Sequence, residues 1–141
     1  MRIRKNLRFR KGNKMIRTDN LTKTFLLLWL LGSLIALITH LFFPEAISNL
    51  SFWNASIGWQ REIALWNLSI AIIITYMLIN YNIKDYRNLV IALTIISFLL
   101  GTNHLITLLM NKSLISLNLL GFLANYIILI FGIYIIEGNK R

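Results

Sequence analysis

The residues best suited to chemistry in this sequence are two histidines and a glutamate set among long apolar stretches. His40, Glu62 and His104 fall near the ends of three different apolar segments. Histidine titrates near neutral pH, and ionisable side chains at membrane depth are functional candidates by default. Such a cluster indicates ligand binding or proton transfer. The opposing interpretation is that the histidines only hydrogen-bond between helices and that Glu62 caps its helix.

No complete catalytic or metal motif accompanies these residues. The sequence has no cysteine, which excludes disulfides, thiolate metal sites and cysteine nucleophiles. It contains no G-x-S-x-G, P-loop or H-E-x-x-H motif. A metal site formed by the two histidines and the glutamate is disfavoured because the sequence has no H-x-x-x-H or E-x-x-H pair. A haem between His40 and His104 is disfavoured because the depths of the two residues in the membrane differ by roughly 4 Å. We therefore expect no metal and no cofactor, and an enzyme is the less favoured interpretation.

Four apolar stretches must position the candidate residues. Each is close to the roughly 20 residues that cross a bilayer core of about 30 Å, and backbone groups in lipid must bond one another, which predicts α-helices. The stretches cover about residues 24–43, 62–81, 88–110 and 117–136. The predicted fold is all-α, a four-transmembrane-helix bundle at 23–141 that follows a basic arm at 1–22. Because loops two and three are short, the second, third and fourth spans are expected to be antiparallel neighbours.

The basic residues predict the orientation of the chain. Nine of its 15 lysines and arginines precede residue 24. With the N-terminus in the cytoplasm, only Arg61 and Lys112 fall in outer loops. We therefore expect a multi-pass protein of the cell membrane with both termini cytoplasmic. The arm is expected to contact anionic lipid headgroups of the inner leaflet rather than nucleic acid, through Arg2, Arg4, Lys5, Arg8, Arg10 and Lys11.

The first loop, residues 44–61, is longer than the others and rich in aromatic side chains. Ile47, Leu50, Trp53 and Ile57 recur at helical spacing. This pattern predicts a segment that lies in the outer interface. The plainer alternative is an ordinary interfacial belt of aromatic residues.

One face of each span carries small and polar residues, and its members are three or four residues apart. The faces are Gly32, Ala36 and His40, with Trp29 a turn earlier; Glu62, Trp66, Ser69, Ile73, Tyr76 and Asn80; Thr94, Ser97, Gly101, His104, Leu108 and Asn111; and Asn118, Gly121, Asn125, Ile128 and Gly132. We expect these faces to point at one another, with isoleucine and leucine toward lipid. The larger polar groups fall in the outer half of the bilayer. The pattern predicts an outward-opening pocket lined by Glu62, Asn67, His104 and Asn125, with His40 and Trp59 beside it.

Short motifs in the chain resemble a known family. The residues that carry the resemblance are Gly58, Trp59, Glu62, Asn67, Leu68 and the run 101–104 that ends in His104. They resemble motifs of a family of uncharacterised prokaryotic four-span membrane proteins, over about residues 45–135. In general layout the chain is also similar to small DoxX-type proteins. Either resemblance implies a four-helix bundle without a settled activity, and the first implies a joint role for Trp59, Glu62, Asn67 and His104.

Two interpretations of function remain after this reasoning. The polar pocket binds a lipid, a quinone or another small amphiphile, or the chain is an accessory or interaction protein whose polar faces only pack. The alternative to both is a membrane enzyme or proton-coupled carrier that uses Glu62 and His104. The sequence does not separate the first two.

Overall fold

The computed structural model of the chain is built from α-helices. They are α1 (Arg2–Phe42), α2 (Pro44–Ser51), α3 (Ile57–Ile79), α4 (Ile83–Asn111) and α5 (Leu117–Gly138). The backbone is described for all residues except 1, 52–55, 81–82, 112–115 and 139–141, and side chains are described within those limits except for 2–18 and 83–85. The described residues include no strand, which confirms the predicted all-α fold.

Four helical segments are long and apolar enough to cross a membrane. They are Asp19–Phe42, Ile57–Ile79, Tyr86–Asn111 and Leu117–Gly138. The predicted number of spans is therefore confirmed. Helix α1 begins at Arg2, so the backbone of the predicted basic arm is helical from that residue and continues into the first span.

Two local signals explain where the helices of the first loop begin. Pro44 opens α2, where its fixed φ and missing N–H are tolerated, and Glu45 follows in the first turn, where the helix dipole favours a carboxylate. Ser56 caps α3, because its Oγ accepts a hydrogen bond from the backbone N–H of Trp59 at 3.3 Å. For this reason α3 begins at Ile57 rather than near Glu62.

The helices pack chiefly as two antiparallel pairs. Among the described residues, α3 lies mainly against α1, and α4 lies mainly against α5. The expectation that the third and fourth spans are neighbours is confirmed. The second and third spans, also expected to be neighbours, meet only near the loop that connects them. There the Tyr86 hydroxyl donates a hydrogen bond to the Met77 carbonyl. The longer first loop thus joins the helices of one pair.

The hydrophobic core joins the two pairs near the beginning of the first span. Its buried side chains are Phe25, Leu26, Trp29, Ile74, Tyr86, Val90, Leu93 and Ile135. They come from α1, α3, α4 and α5. Phe25 and Phe131 add an edge-to-face ring contact with centroids 5.9 Å apart. The opposite end of the bundle, where α1 and α4 end and α3 and α5 begin, contains both histidines, and we name it the histidine end.

Candidate functional site

The faces predicted for the third and fourth spans are buried or half-buried, apart from the exposed Asn111 at the end of α4, and they lie where α4 packs against α5. Three glycines let α4 and α5 approach closely. A Cβ on Gly121 would lie 2.5 Å from the His104 ring, and one on Gly101 would lie 2.6 Å from the Tyr126 ring. A Cβ on Gly132 would collide with Thr94 in the same way. The interpretation of these glycines as packing positions is confirmed.

The face predicted for the first span is correct only in part. Trp29 is buried, and Ala36 and His40 are half-buried. Gly32 is exposed, and a Cβ placed on it would meet nothing within 4 Å. Its neighbour Ser33 is buried instead. The prediction for Gly32 was wrong because the buried side of α1 at this level lies at Ser33, about 100° further around the helix.

The face predicted for the second span points the wrong way. Its six predicted positions are all exposed, Trp66 at 72% and Tyr76 at 65%. The buried face of α3 carries small and amide-bearing residues instead, namely Gln60, Ala64, Asn67, Ala71 and Ile74, of which Asn67 is half-buried. Small side chains allow α1 to approach here. Both faces repeat every three or four residues, so spacing alone did not identify the buried one.

His104 takes part in a hydrogen-bonded group that spans three helices. Its Nδ1 and the Oδ1 of Asn118 are 3.0 Å apart, which joins α4 to α5. The Asn118 amide nitrogen donates to the backbone carbonyl of Ser51 at the end of α2. Asn118 is fully buried, so both ends of its amide are bonded where an unpaired group is costly. The group fastens α2, α4 and α5 together at the histidine end.

A matching pair joins the other two helices. The His40 Nδ1 on α1 is hydrogen-bonded to the Oε1 of Gln60 on α3. Gln60 is fully buried, and its amide nitrogen has no hydrogen-bond partner among the described residues. Each helix pair therefore carries one histidine–amide pair at the same end of the bundle.

The residues predicted to line one pocket are divided between different surfaces. His104 and Asn125 lie in the contact of α4 with α5, and the Asn125 amide donates to its own helix, at the Gly121 carbonyl. Asn67 likewise donates to the Ile63 carbonyl. Glu62 and Trp59 lie on the exposed face of α3. The described part of the chain holds no cluster of three His, Asp or Glu suited to a metal ion.

An open cleft of about 230 Å³ lies beside the short helix of the first loop. It is lined by Pro44, Glu45, Ser48, Asn49 and Ile57. Of the residues predicted at helical spacing in this loop, Ile47 and Leu50 lie in α2 and Ile57 begins α3. Trp53 lies outside the described residues. The side chains expected to contact lipid headgroups also lie outside them, namely Arg2, Arg4, Lys5, Arg8, Arg10 and Lys11.

Sequence reasoning missed Gln60, Ser51 and Ser33. The predicted first loop includes Gln60, although Ser56 before a run of helix-forming residues signals an earlier helix start. Ser51 contributes through its backbone, which leaves no trace in the pattern of side chains. Ser33 is buried, and its hydroxyl has no partner among the described residues. Its small size beside bulky apolar neighbours was the available signal.

The exposed face of α3 forms a regular row. Its members are Trp59, Glu62, Trp66, Ser69, Ile73, Tyr76 and Asn80, which we name the α3 seam. Successive members are alternately three and four residues apart, the spacing that keeps one helix in contact with a partner along a left-handed crossing. The seam is turned away from the buried face that packs on α1.

The four apolar helices and their interlocked polar contacts define a multi-pass α-helical membrane protein. The chain belongs to a family of unknown function (DUF6790), whose family model matches residues 3–139. This agrees with the resemblance to an uncharacterised family, and the match includes the basic arm, which that resemblance left out. No curated protein and no solved structure matches the chain.

Proposed function

We propose that this protein is an accessory membrane protein that binds a transmembrane helix of another membrane protein along the α3 seam. The observation that carries the proposal is the outward position of Glu62 and Ser69 on a helix that is long enough to cross a membrane. The Ser69 hydroxyl donates to the Leu65 carbonyl of its own helix, whereas the Glu62 carboxylate has no hydrogen bond among the described residues. Polar groups that face lipid are unfavourable, whereas the same groups between helices form hydrogen bonds. A partner helix on the seam removes that cost.

The contrast with α1 supports this assignment of the surface. Between Leu27 and Phe42, all exposed positions of α1 are apolar or glycine. This is the composition that faces hydrocarbon. On α3 the exposed surface carries a carboxylate, a guanidinium, hydroxyls and two indole rings. The chemistry of the two surfaces differs although both belong to spans of similar length.

The position of Trp66 is the second supporting observation. Tryptophan is enriched at membrane interfaces, yet Trp66 follows Ile57 by nine residues, about 14 Å along the helix at 1.5 Å per residue. This places the ring near the middle of a span of Ile57–Ile79. A large, exposed aromatic side chain at that depth is typical of a contact between proteins.

The histidine–amide pairs favour a structural role for His104 and His40, which the sequence predicts in or beside a ligand-binding pocket. His104 is bonded to Asn118, and His40 to Gln60. These groups hold helices of the same chain together. We therefore favour the interaction protein over a binder of lipid or quinone and over an enzyme or carrier that uses Glu62 and His104. No contact of the described residues favours a DoxX-type activity.

The basic arm completes the proposal. We place both termini in the cytoplasm of a prokaryotic cell and the arm at the anionic inner leaflet of the plasma membrane. The support is the charge pattern, in which nine basic residues precede residue 24. On this orientation the histidine end faces outward.

A scan with a photo-reactive amino acid tests the proposal in membranes of the cell that makes the protein. The reactive residue replaces seam positions Trp66, Ser69 and Tyr76 in turn, and matched off-seam positions Leu65, Leu68 and Ile72, which are also exposed. We expect a protein adduct of one mass from the seam positions alone. Protein adducts of equal yield around the whole helix, or lipid adducts alone, would contradict the proposal.

A further inference from the structure

We infer that the partner helix presents a lysine or arginine to Glu62, between Trp59 and Trp66 of the seam. The inference rests on the proposed function and names the chemistry of the partner. It is carried by a carboxylate without an ion-pair partner in its own chain and by the two aromatic rings that flank it.

Glu62 has no charged partner among the described residues. No hydrogen bond or ion pair to its carboxylate is present there, and the only salt bridge in that part of the chain joins Lys23 to Asp19. Arg61 is the nearest cation in sequence, but adjacent residues on a helix do not face each other. The carboxylate lies about 8 Å along α3 from Ile57, at 1.5 Å per residue. A negative charge at that depth is best stabilised by a cation from outside the chain.

The two tryptophans strengthen the preference for a cation. Trp59 lies three residues before Glu62 and Trp66 four residues after it, so both rings occupy the same face, one turn to either side. They are 59% and 72% exposed, and therefore available to a partner. The face of an indole ring attracts lysine and arginine, most strongly away from water. A carboxylate flanked by two such rings selects a cationic side chain over a neutral one.

A second copy of this chain fits the seam poorly. Two copies with the same orientation in one bilayer would meet with α3 helices parallel, and equivalent seam positions would face each other. Glu62 would then oppose Glu62 of the other copy, and like charges in a low-dielectric contact are unfavourable. A partner with a cation at that level avoids this repulsion.

A lipid with an amine headgroup would pair with Glu62 but would contact only one part of the seam. A headgroup covers the turn around Glu62, whereas the seam continues through Ser69, Tyr76 and Asn80. From Trp59 to Asn80 the chain advances 21 steps of 1.5 Å, which is about 32 Å. A transmembrane helix matches it, which favours a protein partner.

Energy transfer to synthetic helices tests the inference with the full chain in phosphatidylcholine vesicles. The chain is labelled on a cysteine introduced at Asn49, and the chain has no other cysteine. Two transmembrane peptides of leucine and alanine carry alanine at each position that faces the seam. They differ only at the level of Glu62, where one has lysine and the other leucine. We expect the lysine peptide to bind at least about tenfold more tightly, and Glu62→Gln, but not the control Glu45→Gln, to remove the difference.

Each other outcome overturns the inference or the proposed function in a recognisable way. If both peptides bind equally and Trp66→Ala weakens both, the seam binds helices without recognising a cation. If Trp66→Ala changes the binding of neither peptide, the proposed function fails as well. If unlabelled chain competes as well as the lysine peptide, the occupant is a second copy. If added phosphatidylethanolamine removes the advantage of the lysine peptide, the cation is a lipid amine.

Discussion

The imidazole ring of His104 on α4 lies directly over Gly121 on α5. A Cβ on that glycine would come within 2.5 Å of both Cε1 and Nε2 of the ring. The absence of a side chain at Gly121 therefore lets the ring settle against the backbone of α5. There its Nδ1 reaches the Oδ1 of Asn118, at 3.0 Å. Glycine and histidine in this pair form one packing unit.

Substitution of Gly121 by alanine is expected to destabilise the protein. The added methyl group displaces the imidazole and disturbs its bond to Asn118, which we expect to cost about 1–3 kcal/mol in the free energy of unfolding. Gly32→Ala is the matched control, because nothing lies within 4 Å of its Cβ position, and it should be neutral or slightly stabilising. Unfolding in mixed detergent micelles measures both variants. Equal effects would contradict the packing described for Gly121.

A double-mutant cycle isolates the hydrogen bond between His104 and Asn118. The variants are His104→Ala, Asn118→Ala and the double substitution, and the coupling energy is expected to be about 0.6–1.7 kcal/mol, as for bonds between membrane helices. His104→Ala paired with Asn125→Ala is the control, because the Asn125 amide bonds to its own helix. Its coupling should be smaller. No coupling between His104 and Asn118 would remove the pair as a link between α4 and α5.

The contact of α4 with α5 was predictable from the sequence. Gly101, Gly121 and Gly132 interrupt runs of leucine and isoleucine, and His104 and Asn118 fall on the same faces. Small residues and polar residues therefore predict the same buried face on each helix. The short connection between the two spans predicts that α4 and α5 are neighbours. The partner of each polar group was not predictable, because that depends on the rotation of both helices.

The orientation of α3 was not predictable from spacing. The spacing of its polar and aromatic residues predicts that they form the buried face, but the buried face carries Gln60, Ala64 and Ala71. In a bilayer, close approach of backbones matters more than polarity, and the two alanines allow it. A membrane helix also differs from a soluble one because its exposed face is not marked by charge. Two faces of α3 therefore have the same spacing of three and four residues, and the spacing does not show which of them is buried.

Substitutions at adjacent positions of α3 test its orientation. Ala64→Leu inserts bulk into the contact with α1, where Ala64 is fully buried. We expect it to lower the free energy of unfolding by about 1–3 kcal/mol. Trp66→Leu keeps an apolar side chain on an exposed position and should leave the stability of the isolated chain within about 0.5 kcal/mol. The reverse order of the two effects would show that the seam, rather than Ala64, faces α1.

The proposed topology makes a prediction about labelling in intact cells. Cysteine in place of the exposed Asn49 on α2 should react with a membrane-impermeant maleimide, whereas cysteine in place of the exposed Asn88 near the beginning of α4 should react only after the cells are opened. The reason is the excess of basic residues on the side of Asn88 and the N-terminus. The chain contains no cysteine of its own, so each label reports one position. Labelling of Asn88→Cys in intact cells would show the opposite orientation.

Accessibility of spin labels to oxygen along α3 tests the central claim most directly. Labels at Trp66, Ser69 and Ile73 on the seam are compared with labels at Leu65, Leu68 and Ile72 beside it, all exposed in the isolated chain. In phosphatidylcholine vesicles with the chain alone, both sets should be equally accessible to oxygen dissolved in lipid. In membranes of the cell that makes the protein, we predict that accessibility falls at the seam positions and stays high at the others. Unchanged accessibility of both sets in those membranes would contradict the assignment of the α3 seam as the binding surface.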